Sequence, residues 1–172
     1  MFEAGAISAG ELAGKVAAVA NEAVRTTGLV GRIGVDVVDI RRLEHQVSVV
    51  GEPFVAKLLT PAELAHCAGR IEQLATRIAA KEAAAKALGT GFRGVRWHEI
   101  EVVTAHNGAP SLRLADAAAT RASVLGLDAL ELSSCHEGGF AFAVVVGVSR
   151  PGAALAPHMS TRGDELDQDR AR

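Results

Sequence analysis

Apolar and polar positions alternate with two different periods along the middle of the chain. In residues 70–88 the apolar side chains recur every three or four positions and the pattern stops at Gly89, which predicts a long helix. The tetrapeptide Thr60-Pro61-Ala62-Glu63 joins a capping residue, an N-terminal proline and a glutamate three residues after the cap, so it predicts a helix running to about Cys67. Residues 140–148 are almost entirely apolar, which predicts a central strand buried on both faces.

Shorter segments lie between these elements. Residues 29–40 form a β-branched run that leads into a helix beginning near Asp39, so Asp36 is expected close to that junction. Segments 97–103 and 111–114 flank Asn107-Gly108 and predict two strands joined by a loop. A helix over 116–125 and a strand over 130–133 follow.

The two ends of the chain have a different composition from the middle. Residues 10–26 carry apolar positions at helical spacing, which predicts a short amphipathic helix of no evident purpose inside an N-terminal extension, residues 1–30. Residues 151–172 combine Ala, Pro, Gly and mixed charge without periodicity, so we expect a disordered tail. One compact domain, residues 31–150, remains between them.

Composition limits the partners of this domain. The formal net charge of the 172 residues is −2, which gives no reason to expect a nucleic-acid partner. No segment reaches the ~18 uninterrupted apolar residues of a membrane helix, so we expect no membrane insertion and a cytoplasmic location. The two cysteines, Cys67 and Cys135, form no CxxC pair and are expected to be reduced thiols.

Four charged residues fall on the long predicted helix. Arg77 with Lys81, and Glu82 with Lys86, are separated by four positions and therefore stack on one helix face each. These residues are either a solvated helix face, on which Glu82 and Lys86 form a salt bridge, or the charged half of a phosphate site. Gly89-Thr90-Gly91 follows at once, and a glycine turn lets backbone N–H groups approach a phosphate, although glycine here is also an ordinary helix stop.

Asp36 gains interest only with a second carboxylate. A lone acid after a strand is commonly a turn or cap residue. Together with Glu82 it would form a magnesium site, because Mg²⁺ is commonly held by one or two carboxylates plus substrate phosphate oxygens and waters.

Several separated segments resemble successive landmarks of the holo-[acyl-carrier-protein] synthase family of 4'-phosphopantetheinyl transferases. The resemblance covers about residues 31–148. Its segments are IGVDVVDIRRLE (33–44), LLTPAELAHC (58–67), TRIAAKEAAAKALGTGF (76–92), WHEIEVV (97–103), NGAPSLRL (107–114), SSCH (133–136) and FAFAVVV (140–146). The resemblance implies an α+β, 4'-phosphopantetheinyl transferase-like fold, with a small antiparallel sheet packed with the long helix, and a homotrimer whose active sites lie at subunit interfaces.

The resemblance also implies a reaction and a set of site residues. Phosphopantetheine from coenzyme A would be transferred to a serine of an acyl carrier protein, with Mg²⁺ as cofactor and 3',5'-ADP as the product. Asp36 and Glu82 would bind the metal and Lys86 the reacting pyrophosphate, making these three the catalytic residues. The other implied coenzyme A contacts are Arg77, Lys81, Gly89, Thr90, Gly91 and His136. The implied carrier-docking residues are Arg41 and Arg42.

The chain departs from the family pattern at several positions. After Arg41 and Arg42 the next residues, 45–50, lack the expected basic charges, which puts the usual carrier partner in question. Cys135 stands where a serine is usual, and we expect it to be a small buried residue. Glu137 adds an acid beside His136, and Ala109 replaces a residue that is often basic.

Two rival hypotheses remain beside the enzyme. A non-catalytic homologue would bind coenzyme A or a carrier protein as an interaction module, which the altered 45–50 and SSCH segments favour. A structural protein with a salt-bridged helix would bind neither. The joint presence of Asp36, Glu82 and Lys86 favours the enzyme over both.

Overall fold

A computed structural model describes residues 31–149 and, before them, only residues 11, 14, 15 and 18. Those four residues are helical and exposed, on one face of the predicted N-terminal helix. The rest of that helix, and the predicted tail, lie outside the described residues. Among the residues that are described, no helix is long and apolar enough to cross a membrane.

The domain is an α+β fold in which a three-stranded antiparallel sheet packs against one long helix. Its strands are β1 (Gly31–Asp39), β4 (Ala129–Glu137) and β5 (Phe140–Val148), in the order β1-β5-β4. A separate antiparallel pair is formed by β2 (Ile100–Thr104) and β3 (Pro110–Leu114). The helices are α1 (Ile40–Val50), α2 (Glu52–Leu58), α3 (Pro61–Cys67), α4 (Ile71–Ala87) and α5 (Asp116–Val124).

The long helix α4 lies with its backbone directly on β1. A Cβ atom added to Gly34 of β1 would stand 1.8 Å from the carbonyl oxygen of Ala83 and 2.7 Å from the amide nitrogen of Ala87. Only glycine at this position permits that approach. The facing side of α4 is rich in buried alanine, so small residues on both elements bring the two backbones together.

The capping box at the start of α3 connects this helix to strand β2. Thr60 accepts a hydrogen bond from the amide of Glu63, and Glu63 Oε2 accepts one from the amide of Thr60, as the sequence predicts. The other carboxylate oxygen, Glu63 Oε1, accepts from the amide of Val102 in β2 at 2.8 Å. Glu63 therefore fixes α3 against the second sheet.

The central strand β5 has one buried and one uncovered face. Ala141, Ala143 and Val145 face α4 and are buried, whereas Val146 and Val148 on the other face are 36% and 41% exposed. The prediction of a central strand is confirmed by the strand order. The prediction that both faces are buried is wrong within a single chain, because no helix or second sheet covers the outer face in the described part.

Other elements differ from expectation in extent. Helix α2 was not predicted, although Gly51-Glu52-Pro53 supplies a turn and an N-terminal proline. Residues 97–99 form a 3-10 turn before β2 rather than part of the strand. Strand β4 spans nine residues, well beyond the predicted 130–133.

Candidate active site

Asp36 and Lys86 form an ion pair where α4 crosses β1. The Nζ atom of Lys86 lies 2.7 Å from Asp36 Oδ1 and 3.0 Å from the carbonyl oxygen of Val35. Asp36 is only 6% exposed and lies within β1, three residues before the strand ends. The close approach at Gly34 is what brings these two side chains, fifty residues apart in sequence, into contact.

Glu82 joins this pair one helical turn before Lys86. Burial, and then the adjacent Asp36 carboxylate, raise the pKa of Glu82 to about 7. Lys86 acts in the opposite direction but does not cancel the effect. The two carboxyl groups are held side by side. Ionising both of them is energetically unfavourable unless a cation lies between them.

The donor set of this cluster fits a magnesium ion. Asp36 Oδ2 is buried and makes no hydrogen bond within the described residues. Carboxylate oxygens are the ligands that Mg²⁺ prefers, and the ion usually takes only one or two from the protein. No group of three or more His, Cys, Asp or Glu side chains converges within the residues that the structure describes, so further ligands would come from substrate and water.

Lys81 does not lie in this site, which corrects the sequence prediction. Its side chain is fully buried, and its Nζ atom lies 2.6 Å from Glu63 Oε2 and 2.7 Å from the carbonyl oxygen of Leu58. Burial lowers the pKa of Lys81, and the Glu63 carboxylate opposes that shift. The ammonium group has no route to a coenzyme A phosphate, because it is enclosed between α3 and α4.

Arg77 faces a second site on the other side of α4. Its guanidinium donates to Gln73 and to the hydroxyl of Thr104, while its Nε is buried without a hydrogen-bond partner in the described structure. It lines a cavity of about 580 Å³ together with His136. Arg77 and His136, both predicted from sequence, are therefore brought together.

Further basic side chains around this cavity were not found from the sequence. His66, Arg70 and His106 also line it. Arg70 is held by its hydrogen bonds to the carbonyl oxygens of Cys67 and His66 at the end of α3. The sequence signal was the pair His66 and Arg70 at the C-terminal end of α3, and the structure shows that residues of β2 and β4 line the same cavity.

Cys135 also lines this cavity and is exposed, so the expectation of a buried residue is wrong. Its position on the outer face of β4, opposite Phe142 of β5, accounts for the exposure. Cys67 is buried, and burial raises the pKa of its thiol. Both thiols are free. Glu137 is exposed at the end of β4 and does not line the cavity.

The remaining predicted residues occupy two further places. Gly89, Thr90 and Gly91 form the turn after α4, beyond the Lys86 end of the cluster. Arg41 and Arg42 are exposed in the first turn of α1, where Asp39 caps the helix through the amide of Arg42.

The carboxylate cluster and the cavity are separate within one chain. Arg77 and Lys81 share one face of α4, whereas the Glu82 and Lys86 pair is centred about 140° further round the helix. Neither Asp36 nor Glu82 lines the cavity. A single described chain therefore presents two partial sites rather than one continuous site.

Comparison with known proteins identifies the family. The family model of the 4'-phosphopantetheinyl transferase superfamily matches residues 32–145, which include both partial sites. The chain belongs to this superfamily.

The particular branch follows from individual relatives. The holo-[acyl-carrier-protein] synthase of Herpetosiphon aurantiacus is 44% identical over 122 residues, covering 67% of this chain and 96% of that protein. The Helicobacter pylori synthase, solved in complex with coenzyme A, has a TM-score of 0.61 and 31% identity over 66% of this chain and 96% of its own. The Neisseria meningitidis synthase has a TM-score of 0.63 and 34% identity over 67% and 96%. The chain is thus an enzyme of the holo-[acyl-carrier-protein] synthase type.

Proposed function

We propose that this enzyme transfers 4'-phosphopantetheine from coenzyme A to a serine of an acyl carrier protein, and that it requires Mg²⁺. The observation that carries the proposal is the cluster of Asp36, Glu82 and Lys86, in which two carboxylates and one lysine meet on a rigid backbone contact. The relatives named as holo-[acyl-carrier-protein] synthases, and the Helicobacter pylori complex with coenzyme A, support the choice of substrates.

In the reaction, the serine hydroxyl of the carrier loses its proton to water, and its oxygen forms a bond to the phosphorus next to the pantetheine arm. The bond from that phosphorus to the leaving phosphate breaks, and 3',5'-ADP departs with the electron pair. Asp36 and Glu82 would hold Mg²⁺, which supplies positive charge to the pyrophosphate oxygens. Lys86 is half-exposed, so its ammonium can turn from Asp36 towards the leaving oxygen and stabilise the charge that develops there.

The cavity around Arg77 and His136 suits the phosphorylated nucleotide of coenzyme A. Arg77 is held by Gln73 and Thr104, so its guanidinium loses little freedom when it meets a phosphate. Arg70 adds positive charge at the rim, where the His66 side chain also lies. We propose these residues as the nucleotide contacts in place of Lys81.

We further propose that the active enzyme is a homotrimer whose neighbouring chains bring one carboxylate cluster against one cavity. Two observations favour it. The cluster and the cavity are separate in one chain, and the outer face of the β1-β5-β4 sheet exposes Val146 and Val148. Burying that apolar face between chains would stabilise an assembly by about 25 cal/mol for each Å² removed from water.

Arg41 and Arg42 are proposed to dock the carrier protein. Helix α1 starts directly after β1, so a carrier bound there lies at the Asp36 end of the sheet. Arg42→Ala should raise KM for the carrier more than KM for coenzyme A, whereas equal rises would argue against docking. The cytoplasmic location remains a prediction from the sequence.

The test is intact-mass spectrometry of an apo acyl carrier protein incubated with the enzyme, coenzyme A and Mg²⁺. A gain of one phosphopantetheine group that EDTA suppresses, with 3',5'-ADP released in equal amount, is expected. Glu82→Gln should abolish the gain while coenzyme A still binds, and Arg113→Gln, on the exposed edge of β3, is the matched control with normal turnover. Binding of coenzyme A without transfer to any of several carriers would contradict the proposal and favour an interaction module.

A further inference from the structure

Two arginines converge just past the C-terminal end of α4, beyond Lys86 and outside the lining of the cavity. The Nη1 atom of Arg32 lies 2.9 Å, and the Nη2 atom of Arg121 lies 3.7 Å, from the point where a Cβ atom on Gly89 would stand. Arg32 is the second residue of β1 and Arg121 belongs to α5. Three elements from distant parts of the sequence therefore bring two guanidinium groups to one glycine.

Neither arginine has a carboxylate partner within residues 31–149. Arg121 donates its Nε to the carbonyl oxygen of Leu88 at 3.0 Å, which leaves its terminal nitrogens available. The Arg32 side chain makes no hydrogen bond in the described structure, and its Nε is buried. Burial, and then the charge of Arg121, lower the pKa of Arg32. Two like charges are thus held together, and no group among residues 31–149 compensates them.

The C-terminal dipole of α4 explains only part of this arrangement. Orphan carbonyl groups attract cations at a helix C-terminus, and Arg121 satisfies one of them at Leu88. The dipole does not account for the position of Arg32, which bonds to none of those carbonyls. An oxyanion between the two guanidinium groups would satisfy both, because a planar guanidinium presents paired donors that match phosphate and carboxylate oxygens.

We infer that Arg32 and Arg121 form an oxyanion-binding site beside the exposed Gly89, separate from the catalytic carboxylates. Along an extended strand the Cα atoms of Arg32 and Asp36 are about 13 Å apart, so the two side chains start from well-separated positions on β1. Gly89 has φ +75 and no side chain, which leaves the space between the guanidinium groups open. This inference rests on the two arginines and does not depend on the proposed reaction.

The oxyanion has two possible sources with the same chemistry. One is a free anion such as inorganic phosphate. The other is the acidic stretch of this chain, which carries Asp164, Glu165, Asp167 and Asp169. That stretch follows β5, and Gly147 of β5 lies opposite Arg32 in the sheet, so the chain leaves the domain next to the arginines.

The experiment is calorimetric titration of the full chain with inorganic phosphate, against chloride at matched ionic strength. We expect a binding event that weakens at least tenfold in both Arg32→Gln and Arg121→Gln. Arg113→Gln, which removes an arginine already paired with Glu101, should leave it unchanged. Unfolding midpoints in chloride confirm that each variant is folded.

Three outcomes would overturn the site. The site is overturned if phosphate binds no more tightly than chloride to the wild type and to every variant. It is also overturned if the wild type and both arginine variants bind phosphate equally. Loss of the same event in Glu82→Gln would locate the phosphate at the catalytic cluster instead. A second event at the cavity around Arg77 would persist in Arg32→Gln and is therefore distinguishable.

A further variant assigns the source. Neutralising all four acids, as D164N/E165Q/D167N/D169N in the full chain, should tighten phosphate binding if those acids compete for the arginines. Unchanged binding would assign the site to a free anion. Both results are informative only if Arg32→Gln weakens phosphate binding. If Arg32→Gln binds phosphate as the wild type does, neither result supports the site.

Discussion

Gly34→Ala tests whether the contact between β1 and α4 sets the catalytic geometry. The added Cβ would stand 1.8 Å from the carbonyl oxygen of Ala83, whereas an ordinary contact is 3.4–4 Å. The obstacle is backbone, so relief requires α4 to move away from β1 by more than an ångström. Overpacking of a core costs about 1–3 kcal/mol, and a clash with backbone belongs at the upper end or beyond.

The displacement should reduce turnover as well as stability. Asp36 is on β1 and Lys86 on α4, so separating the two elements stretches their 2.7 Å ion pair. A misplacement of about 1 Å at a reacting centre can cost about 100-fold in rate. Urea unfolding measures the first effect, and the carrier mass assay measures the second.

A matched glycine provides the control for this experiment. Gly14→Ala makes the same chemical change at a helical, exposed position where the new Cβ would have no atom within 4 Å. It should leave turnover unchanged. If Gly34→Ala unfolds within about 0.5 kcal/mol of wild type, as a surface substitution would, the contact is not as tight as argued.

Three further predictions concern the core, the carboxylates and the assembly. Lys81→Met should destabilise by about 3–5 kcal/mol in urea, because Glu63 is left buried and unpaired, and adding Glu63→Gln should recover part of the loss; no recovery would deny the coupling. Glu82 has a pKa raised to about 7 from 4.5, so the metal-free protein loses stability as pH rises through that window. Glu82→Gln should therefore melt higher than wild type at pH 8, and adding Mg²⁺ without coenzyme A should stabilise only the wild type; a lower melting point would refute the repulsion. Val146→Glu should shift the mass measured by light scattering from trimer to monomer, whereas Val124→Glu, at a more exposed valine on α5, should not; a trimer in both variants would remove the sheet face from the interface.

Patterns among neighbouring residues predicted most of the helices and strands, and the family resemblance predicted the catalytic cluster. The capping box at Thr60 and Glu63 is a pattern of four adjacent residues, and both of its hydrogen bonds are present. Strand β5 and helix α4 have long, uniform apolar patterns, and their bounds were predicted to within a residue or so. The family resemblance supplied Asp36 and Glu82 as a pair, which the contact at Gly34 brings together.

Long-range contacts were beyond the sequence. Glu63 reads as a cap, and nothing nearby indicates that it also accepts hydrogen bonds from Lys81 and from the amide of Val102. From the sequence, the basic residues of α4 therefore resemble a single phosphate-binding set, although Lys81 is buried in the core. The convergence of Arg32 and Arg121 was equally hidden, since they are 89 positions apart and meet only through the turn at Gly89.

Because the carboxylate cluster and the cavity are separate within one chain, the proposed activity depends on the protein concentration at which chains assemble. If neighbouring chains complete each site, dilution removes the active centre without unfolding any domain, and specific activity falls with protein concentration. Two inactive variants, one altered at Glu82 and one at Arg77, would then complement each other when mixed. Hybrid assemblies of the two would regain some centres built from one intact cluster and one intact cavity.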